Sequence, residues 1–214
     1  MGKNKLMKFA ENKNFPHVFQ PENNFCEYKG LWKNRFGNLN PLILELGCGK
    51  GEYTVALSKK YPQKNFLGID VKGARIWRGA KTVEEEKIPN AAFLRTRIEF
   101  IVDFFDADEV EEIWITFPDP QINKPRKRLT APEFIERYRQ FLKQDGIIHL
   151  KTDSRILHDY TLSVINKNNF TLLDAFTDIY AQCPDNEFLK IKTFYEMRFA
   201  AQGIPVTYLK FKIS

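Results

Sequence analysis

Residues 42–51 read LILELGCGKG, an apolar run followed by glycine at every second position. The apolar part, residues 42–46, predicts a short buried strand. The glycines within residues 47–51 allow the backbone to turn sharply after that strand and to approach a ligand closely. A second predicted strand, residues 65–71, ends near Asp70, where a carboxylate can accept both hydroxyls of a ribose. The stretch therefore predicts an α/β fold with a nucleoside cofactor site at the carboxyl ends of two neighbouring strands.

The glycine spacing distinguishes two classes of cofactor. Dinucleotide sites have the pattern G-x-G-x-x-G and hold a pyrophosphate, whereas Gly47, Gly49 and Gly51 follow G-x-G-x-G. Glu45 would repel a pyrophosphate, but its carboxylate would attract a cationic sulfonium or ammonium group. The pattern E-x-G-x-G-x-G resembles motif I of the class I methyltransferases that use S-adenosylmethionine (SAM). A purely structural glycine turn is the alternative.

From residue 42 onward, predicted strands and helices alternate. The predicted strands are residues 42–46, 65–71, 91–96, 111–117, 147–152, 170–177 and 206–213. The predicted helices are residues 52–60, 72–86, 131–144 (with Thr130 as N-cap and Glu133 completing a capping box), 153–166 and 195–202. This alternation predicts a Rossmann-like class I methyltransferase fold, a mostly parallel seven-stranded sheet with helices on both faces. The last strand lacks a clear crossover helix, so we expect it to insert antiparallel.

The charge distribution suggests a polyanionic partner. Net charge is +6, and residues 1–40 hold seven Lys and Arg against three Glu. Another cluster without an acid lies within residues 124–128. We expect residues 1–40 to form a basic arm, flexible or lightly docked, and residues 41–214 to form the methyltransferase domain. A solvated tail and a solvated loop are the alternative reading of the same charges.

The remaining composition favours a cytoplasmic protein without metal. Cys26, Cys48 and Cys183 are odd in number and far apart, which suits neither a disulfide framework nor a zinc site. No apolar run is long enough to cross a bilayer, and the N-terminal residues lack the apolar core of a secretory signal. A monomer and a homodimer are equally compatible with the sequence.

The fourth predicted strand ends in Phe117-Pro118-Asp119-Pro120. Ligands of open parallel sheets bind at the carboxyl ends of strands, so Asp119 should lie beside the methyl acceptor. Two prolines restrict the backbone around it. A solvated Asp in a proline-stiffened loop is the alternative.

A dense set of motifs resembles the bacterial tRNA (guanine-N7) methyltransferase family. The matching motifs are the FPDP segment, KRLT at 127–130, PEF at 132–134, KTD at 151–153, TFYE at 193–196, Phe199, and GIP at 203–205. The resemblance runs from about residue 28 to the C-terminus. It implies transfer of a methyl group from SAM to N7 of the variable-loop guanine of tRNA. The competing readings are a SAM-dependent methyltransferase for a small molecule or protein, and a catalytically silent RNA-binding module.

The resemblance also assigns roles to individual residues. SAM would be bound by Glu45, Gly47, Gly49, Gly51, Asp70, Arg97, Ile98 and Asp119, and Asp119 would be the catalytic residue. The target nucleotide would be contacted by Asn123, Asp153, Thr193, Phe194, Tyr195 and Glu196. The tRNA backbone would be contacted by Lys124, Arg126, Lys127 and Arg128.

Several of these assignments have structural alternatives or depart from the family pattern. Asp153 could instead N-cap the helix after it, and Thr193 with Glu196 could form a capping box. The family usually has Trp at position 121 and Lys at position 123, whereas this chain has Gln121 and Asn123, and Lys124 could take over the missing charge. Arg97 stands near the acid that usually faces the adenine, so a backbone amide or Glu99 is expected to serve there.

The expected reaction needs no strong general base. Guanine N7 carries a free lone pair, so no proton leaves before attack, and the product purine is cationic. Negative potential where that charge develops would stabilise the transition state, and Asp119 is the candidate for supplying it.

Overall fold

The computed structural model describes residues 3–21, 27–193, 196 and 203–213. Within these residues, eight strands form one sheet: β1 (Val18–Phe19), β2 (Leu42–Leu46), β3 (Asn65–Asp70), β4 (Ala91–Arg95), β5 (Val110–Thr116), β6 (Leu142–Thr152), β7 (Thr171–Phe176) and β8 (Thr207–Lys212). The helices are α1 (Lys3–Asn14), α2 (Trp32–Phe36), α3 (Glu52–Lys60), α4 (Gly73–Glu85), α5 (Pro132–Tyr138), α6 (Arg155–Lys167) and α7 (Ile179–Gln182).

The sheet order is β1-β4-β3-β2-β5-β6-β8-β7. Only β8 runs against its neighbours, since it pairs antiparallel with both β6 and β7, while the remaining pairs are parallel. The predicted α/β fold and the antiparallel last strand are therefore confirmed. Because parallel strands need crossover connections, their carboxyl ends lie at one edge of the sheet, where β2, β3 and β5 end side by side.

The strand count exceeds the prediction by one. All seven predicted strands are present as β2 to β8, and β1 adds a two-residue pairing with β4 at the edge of the sheet. A pair of residues is too short to produce an alternating pattern, so periodicity could not reveal it.

The predicted helix at 131–144 was too long, and its predicted cap was wrong. Helix α5 ends at Tyr138 because β6 already begins at Leu142. Ala131 stands at the N-cap position without a side-chain bond, while the buried Thr130 hydroxyl bonds that of Thr161 at 2.7 Å. The predicted helix at 195–202 lies outside the described residues except for Glu196.

Two described parts of the first forty residues, within 3–21 and 27–40, contact the rest of the fold. Helix α1 packs against α4, and Asn12 is buried and donates its side-chain N–H to the Gly73 carbonyl at 2.8 Å. Trp32 is buried and donates its indole N–H to the Phe104 carbonyl at 2.9 Å. These two side chains are held by tertiary burial, which no local sequence pattern shows. The arm of residues 1–40 and the domain boundary after it stay predictions.

Apolar side chains fill both faces of the sheet, and the central strands β2 and β3 are buried along their whole length. On one face, α5 and α6 contribute Phe134, Tyr138 and Leu157 to the core. On the other, Tyr53 of α3 packs with Trp114 of β5. In the part of the chain that the structure describes, no helix has the length and apolarity to span a membrane, and no group of three potential metal ligands comes together.

Candidate cofactor and acceptor site

The glycine loop, residues 47–51, adopts the conformation that its glycines permit. Gly47, Gly49 and Gly51 have φ values of +76°, +57° and +71°, which residues with a side chain rarely adopt. A Cβ atom on Gly51 would lie 2.4 Å from the ring of Phe93, and one on Gly79 of α4 would lie 2.7 Å from the Lys50 carbonyl. Two glycines thus let the loop and α4 approach each other closely.

Asp70, at the end of β3, connects the second strand to this loop. Its two carboxylate oxygens accept the backbone N–H groups of Gly49 at 2.9 Å and Lys72 at 2.7 Å. The side chain is only 8% exposed, yet it lines the cavity described below. Each oxygen keeps a further lone pair, so Asp70 can accept ribose hydroxyls without releasing the loop.

Glu45 lies beneath the loop and does not line the cavity. It is 4% exposed, and its carboxylate accepts the Thr54 backbone N–H at 2.9 Å, the Thr54 hydroxyl at 2.5 Å and the Thr116 hydroxyl at 2.6 Å. Burial raises the pKa of Glu45 to about 7, although these hydrogen bonds favour the charged form. The side chain therefore ties β2 to α3 and β5 and acts on a ligand through its field.

The acceptor loop, residues 117–128, begins where β5 ends. Phe117 and Gln121 both have a φ of +46°, unusual for residues that carry side chains. The Phe117 backbone N–H donates to the Lys151 carbonyl at 2.8 Å, and that of Gln121 donates to the Asp119 carboxylate at 3.0 Å. Asp119 is exposed at the cavity, so a strained turn presents an unburied carboxylate.

A cavity of about 500 Å³ separates the two loops. Seven residues that the sequence predicted as site residues line it: Gly47, Asp70, Arg97, Ile98, Asp119, Lys124 and Lys127. Gly49 and Gly51 shape the loop without lining the cavity. Glu99, the alternative candidate for the adenine side, also lines it. The volume, the glycine turn and Asp70 together fit a nucleoside-sized cofactor such as SAM.

Sequence reasoning missed two cations of this cavity, Lys72 and Arg75 at the start of α4. Together with Arg97 they give the wall on the α4 side a positive charge. The sequence signal that indicates them is a set of bases within residues 72–81 with no acid among them.

The four basic residues of the acceptor loop fall into two groups. Lys124 and Lys127 line the cavity, and Arg126 is 91% exposed, with Glu133 at 3.5 Å. Arg128 differs, because it is 5% exposed, donates its Nε–H to the Pro120 carbonyl at 2.9 Å and lies 4.3 Å from the ring centre of Tyr160. Its geometry favours an anchor that holds the loop in place over the predicted phosphate contact.

The residues predicted to contact the target base are only partly described. Phe194 and Tyr195 lie outside the described residues. Asn123 is exposed, and Asp153 is half-buried at the end of β6. The cap of α6 is Ser154, whose hydroxyl accepts the Leu157 N–H at 3.3 Å, so the alternative N-cap role of Asp153 is wrong.

Thr193 and Glu196 form the capping box that the sequence allowed as an alternative. The Thr193 hydroxyl accepts the Glu196 N–H at 3.2 Å, and the Glu196 carboxylate accepts the Thr193 N–H at 3.3 Å. The Glu196 side chain is fully buried and also accepts the Tyr180 hydroxyl.

Lys151 completes this buried cluster. Its ammonium lies 2.8 Å from the Glu196 carboxylate and donates to the carbonyls of Leu189 and Ile191 at 2.9 Å each. Burial lowers the pKa of Lys151, and the charge of Glu196 opposes that shift. Because the Lys151 carbonyl also accepts the Phe117 N–H, the cluster joins the acceptor loop to the segment that contains residues 189–196.

Comparison with known proteins identifies the class first. A profile of the family described as "Putative methyltransferase" matches residues 39–209. The fold resembles that of a 16S rRNA methyltransferase, KamB, with a TM-score of 0.68 and 14% identity over 92% of this chain and 98% of that one. It also resembles a SAM-dependent methyltransferase from Aquifex aeolicus, with a TM-score of 0.58 and 13% identity over 96% and 98%. The fold and the site define a SAM-dependent methyltransferase.

Curated relatives then narrow the class to a family. A tRNA (guanine-N(7)-)-methyltransferase of Christiangramia forsetii is 52% identical over 99% of this chain and 98% of the relative. One of Bacteroides thetaiotaomicron is 48% identical over 100% and 87%. This chain belongs to the tRNA (guanine-N(7)-)-methyltransferase family, as its sequence motifs predict.

Proposed function

We propose that this protein transfers a methyl group from SAM to N7 of a guanine in tRNA, and that the target is the guanine of the variable loop. The observation that carries the proposal is that Asp70 and Asp119 line one cavity, in a chain whose relatives are named for this reaction. We place the activity in the cytoplasm and assign it to a monomer or homodimer.

In this proposal the cofactor lies against the glycine loop. Asp70 accepts the ribose hydroxyls, and the backbone near Gly47 faces the methionyl part. The family usually has an acid that faces the adenine, and this chain has Arg97 near that position. Here backbone groups near Arg97 and Ile98 take over the contact with the adenine. Glu45 contributes negative potential from beneath the loop through Thr54 and Thr116. The cofactor supplies an activated methyl group, and the protein supplies its alignment with the acceptor.

Asp119 is the residue that we place beside the reacting atoms. A carboxylate at this position stabilises the positive charge that grows on the purine as N7 is methylated. Its exposed position allows an RNA base to reach it, and its bond from the Gln121 N–H restricts its orientation. No proton has to be removed, so Asp119 acts by charge and not as a base.

The tRNA is held around this point by the acceptor loop. Lys124, Arg126 and Lys127 are exposed and suit phosphate contacts. The target nucleotide would be contacted by Asn123, Asp153, Thr193, Phe194 and Tyr195. Glu196, whose carboxylate is buried against Lys151, would hold the chain around Thr193 in place.

The proposal is tested by incubating the protein with radiolabelled SAM and bulk tRNA that lacks 7-methylguanosine, followed by nucleoside analysis. We expect label in 7-methylguanosine from the variable loop. SAM binding without transfer to tRNA would favour a small-molecule or protein methyltransferase, and label in another nucleoside would overturn the N7 assignment.

The role of Asp119 predicts an ordered series of rates. Asn keeps the shape and a hydrogen-bonding oxygen but loses the charge, so Asp119→Asn should have a single-turnover rate between wild type and Asp119→Ala. We expect Ala to lose about 10- to 100-fold, because one electrostatic contact in a partly open site is removed. The matched control is Asp103→Asn, a carboxylate outside the cavity, which should leave the rate unchanged.

The same role predicts insensitivity to proton transfer. Around neutral pH the single-turnover rate should stay flat with pH, and D2O should leave it nearly unchanged. A rising limb near neutrality together with a large solvent isotope effect would show that a proton moves in the chemical step, and would contradict both the charge role and N7 as the acceptor.

A further inference from the structure

The first half of α4 carries a third basic cluster, separate from the arm and the acceptor loop. Residues 72–81 contain four bases and no acid, whereas residues 84–86 are three consecutive Glu. Lys72, Arg75 and Arg78 are exposed. The positive half of the helix is the half that begins at the cavity, since Lys72 and Arg75 line it.

Most of these cations lack a neutralising partner. Lys81 lies 3.9 Å from Glu85, a loose pair on an exposed helix surface. Among the described residues, the side chains of Lys72, Arg75 and Arg78 form no ion pair with a carboxylate. Unpaired bases on one surface create a positive potential that a polyanion can neutralise.

Helix α1 extends this surface. The ammonium of Lys8 lies 4.5 Å from the ring centre of Trp77, and that of Lys81 lies 5.1 Å from it. The nearby acid, Glu11, accepts the Trp77 indole N–H at 2.6 Å, so it is directed at the indole and not at these lysines. The α1–α4 face is defined here as Lys8, Lys72, Arg75, Arg78 and Lys81.

The size and position of the α1–α4 face suit a nucleic acid backbone. From residue 72 to residue 81 a helix rises about 14 Å, and a nucleic acid strand in a duplex presents a phosphate about every 3.4 Å along its axis. The face begins at the end of β3 and the acceptor loop follows β5, and these two strands flank β2 on opposite sides. Lys72 and Arg75 of the face line the same cavity as Lys124 and Lys127. A bound RNA would therefore meet cations on both sides of the cavity mouth.

We infer that the α1–α4 face is a second RNA-contact surface, which binds backbone phosphates of the tRNA while its target nucleotide enters the cavity. The inference rests on the proposed function, because tRNA is the polyanion that it assigns. These contacts are to phosphate, so they add affinity and orientation without reading bases. If the acceptor loop alone bound the tRNA backbone, the cations of α4 would contact no phosphate.

The test removes three cations of the face that do not line the cavity, in the variant Lys8→Gln, Arg78→Gln, Lys81→Gln. The matched control is Arg139→Gln, Lys143→Gln, Lys167→Gln. The three control side chains are exposed, and the change in net charge is the same as in the face variant. The control residues lie at the amino-terminal edge of the sheet, because α5 and α6 end there and β6 begins there. Binding of unmodified tRNA is measured over a range of salt concentrations for both variants and wild type.

We expect the face variant to lower the log–log slope of tRNA affinity against salt by about two units, at about 0.7 to 0.9 per phosphate contact. The Kd for SAM should equal that of wild type, and the control variant should keep the wild-type slope. Arg78→Glu, a single exposed substitution with little risk to folding, should also reduce the slope and raise the KM for tRNA without lowering the single-turnover rate at saturation.

An unaltered slope in both the triple variant and Arg78→Glu would overturn the inference and make the face a solvated surface. An equal loss of slope in the control variant would also overturn it, since net charge alone would then account for binding. The proposed function fails separately, if wild-type protein does not methylate tRNA. If wild-type protein methylates tRNA but the face variant keeps the wild-type salt slope, only the inference of a second RNA-contact surface is overturned.

Discussion

The glycine loop and the acceptor loop both follow the carboxyl ends of central strands, yet they differ in almost every physical respect. Beside the glycine loop the acids Glu45 and Asp70 are buried and accept hydrogen bonds from the protein itself. In the acceptor loop Asp119 is exposed, and Lys124 and Lys127 extend beside it into solvent. Positive φ values occur at glycines in the first loop, but at residues with side chains in the second.

The difference suits the two substrates of the proposed reaction. A small cofactor can bind a site whose groups are already satisfied and oriented, because little reorganisation is then required. A large RNA supplies its own phosphates, so its side of the cavity remains charged and open until the RNA arrives. We therefore expect changes in the glycine loop to act on folding and SAM binding, and changes in the acceptor loop to act on tRNA.

The largest expected effect comes from adding one methyl group to the glycine loop. Gly51→Ala places a Cβ 2.4 Å from the Phe93 ring and keeps a φ of +71°. Overpacking and backbone strain together should lower the free energy of unfolding by about 3 to 5 kcal/mol. Chemical denaturation measures the change.

Gly47→Ala is the matched control, because Gly47 also has a positive φ but no atom lies within 4 Å of an added Cβ. Only the backbone strain of about 1 to 2 kcal/mol should appear there. Equal losses in the two variants would show that close packing of the loop on α4 adds nothing to stability.

A second effect follows from the buried carboxylate of Glu45. Burial raises its pKa from 4.5 to about 7, so the folded state holds the proton over a range in which the unfolded state releases it. Through this group, the free energy of unfolding should therefore fall by about 3 kcal/mol as pH rises from about 4.5 to about 7. Glu45→Gln cannot titrate and should lack this component.

The measurement is the difference between wild-type and Glu45→Gln unfolding free energies at several pH values, without cofactor. Other titrating groups are common to both proteins and cancel in the difference. Parallel profiles across this range would mean that Glu45 is already ionised in the fold, held so by Thr54 and Thr116.

The smallest expected effect distinguishes two arginines of the acceptor loop. Arg126→Ala should reduce the salt slope of tRNA binding by about 0.7 to 0.9 and leave the thermal midpoint unchanged, because the side chain is exposed. Arg128→Ala should lower stability by about 1 to 2 kcal/mol, since it loses a bond to the Pro120 carbonyl and the contact with Tyr160. The two variants serve as controls for each other, and a salt slope lowered only by Arg128→Ala would reverse their roles.

Local sequence patterns were sufficient for most of the fold. Strands β2 and β3 are short apolar runs, and α3 begins and ends at the residues that its flanking Gly51 and Pro62 predict. Helix α5 was the exception, because no stop signal follows Tyr138 and the strand pairing of Leu142 with Val110 decides where the helix ends. Pairing between distant segments overrides a helical pattern of similar local strength.

The candidate site shows the same division. From the sequence alone, the glycine spacing and Asp70 predict the class of cofactor, and the FPDP segment predicts the position of the acceptor, because each depends on residues a few positions apart at the end of a strand. Only the tertiary structure decided that Glu45 is enclosed by Thr54 and Thr116, that Arg128 is buried and bonded to the Pro120 carbonyl, and that two bases at the start of α4 line the same cavity as the acceptor loop. The solvent exposure of a charged side chain and its hydrogen-bond partners depend on which segments fold next to it. The residue type alone does not specify whether the charge contacts water, a carbonyl or a ligand.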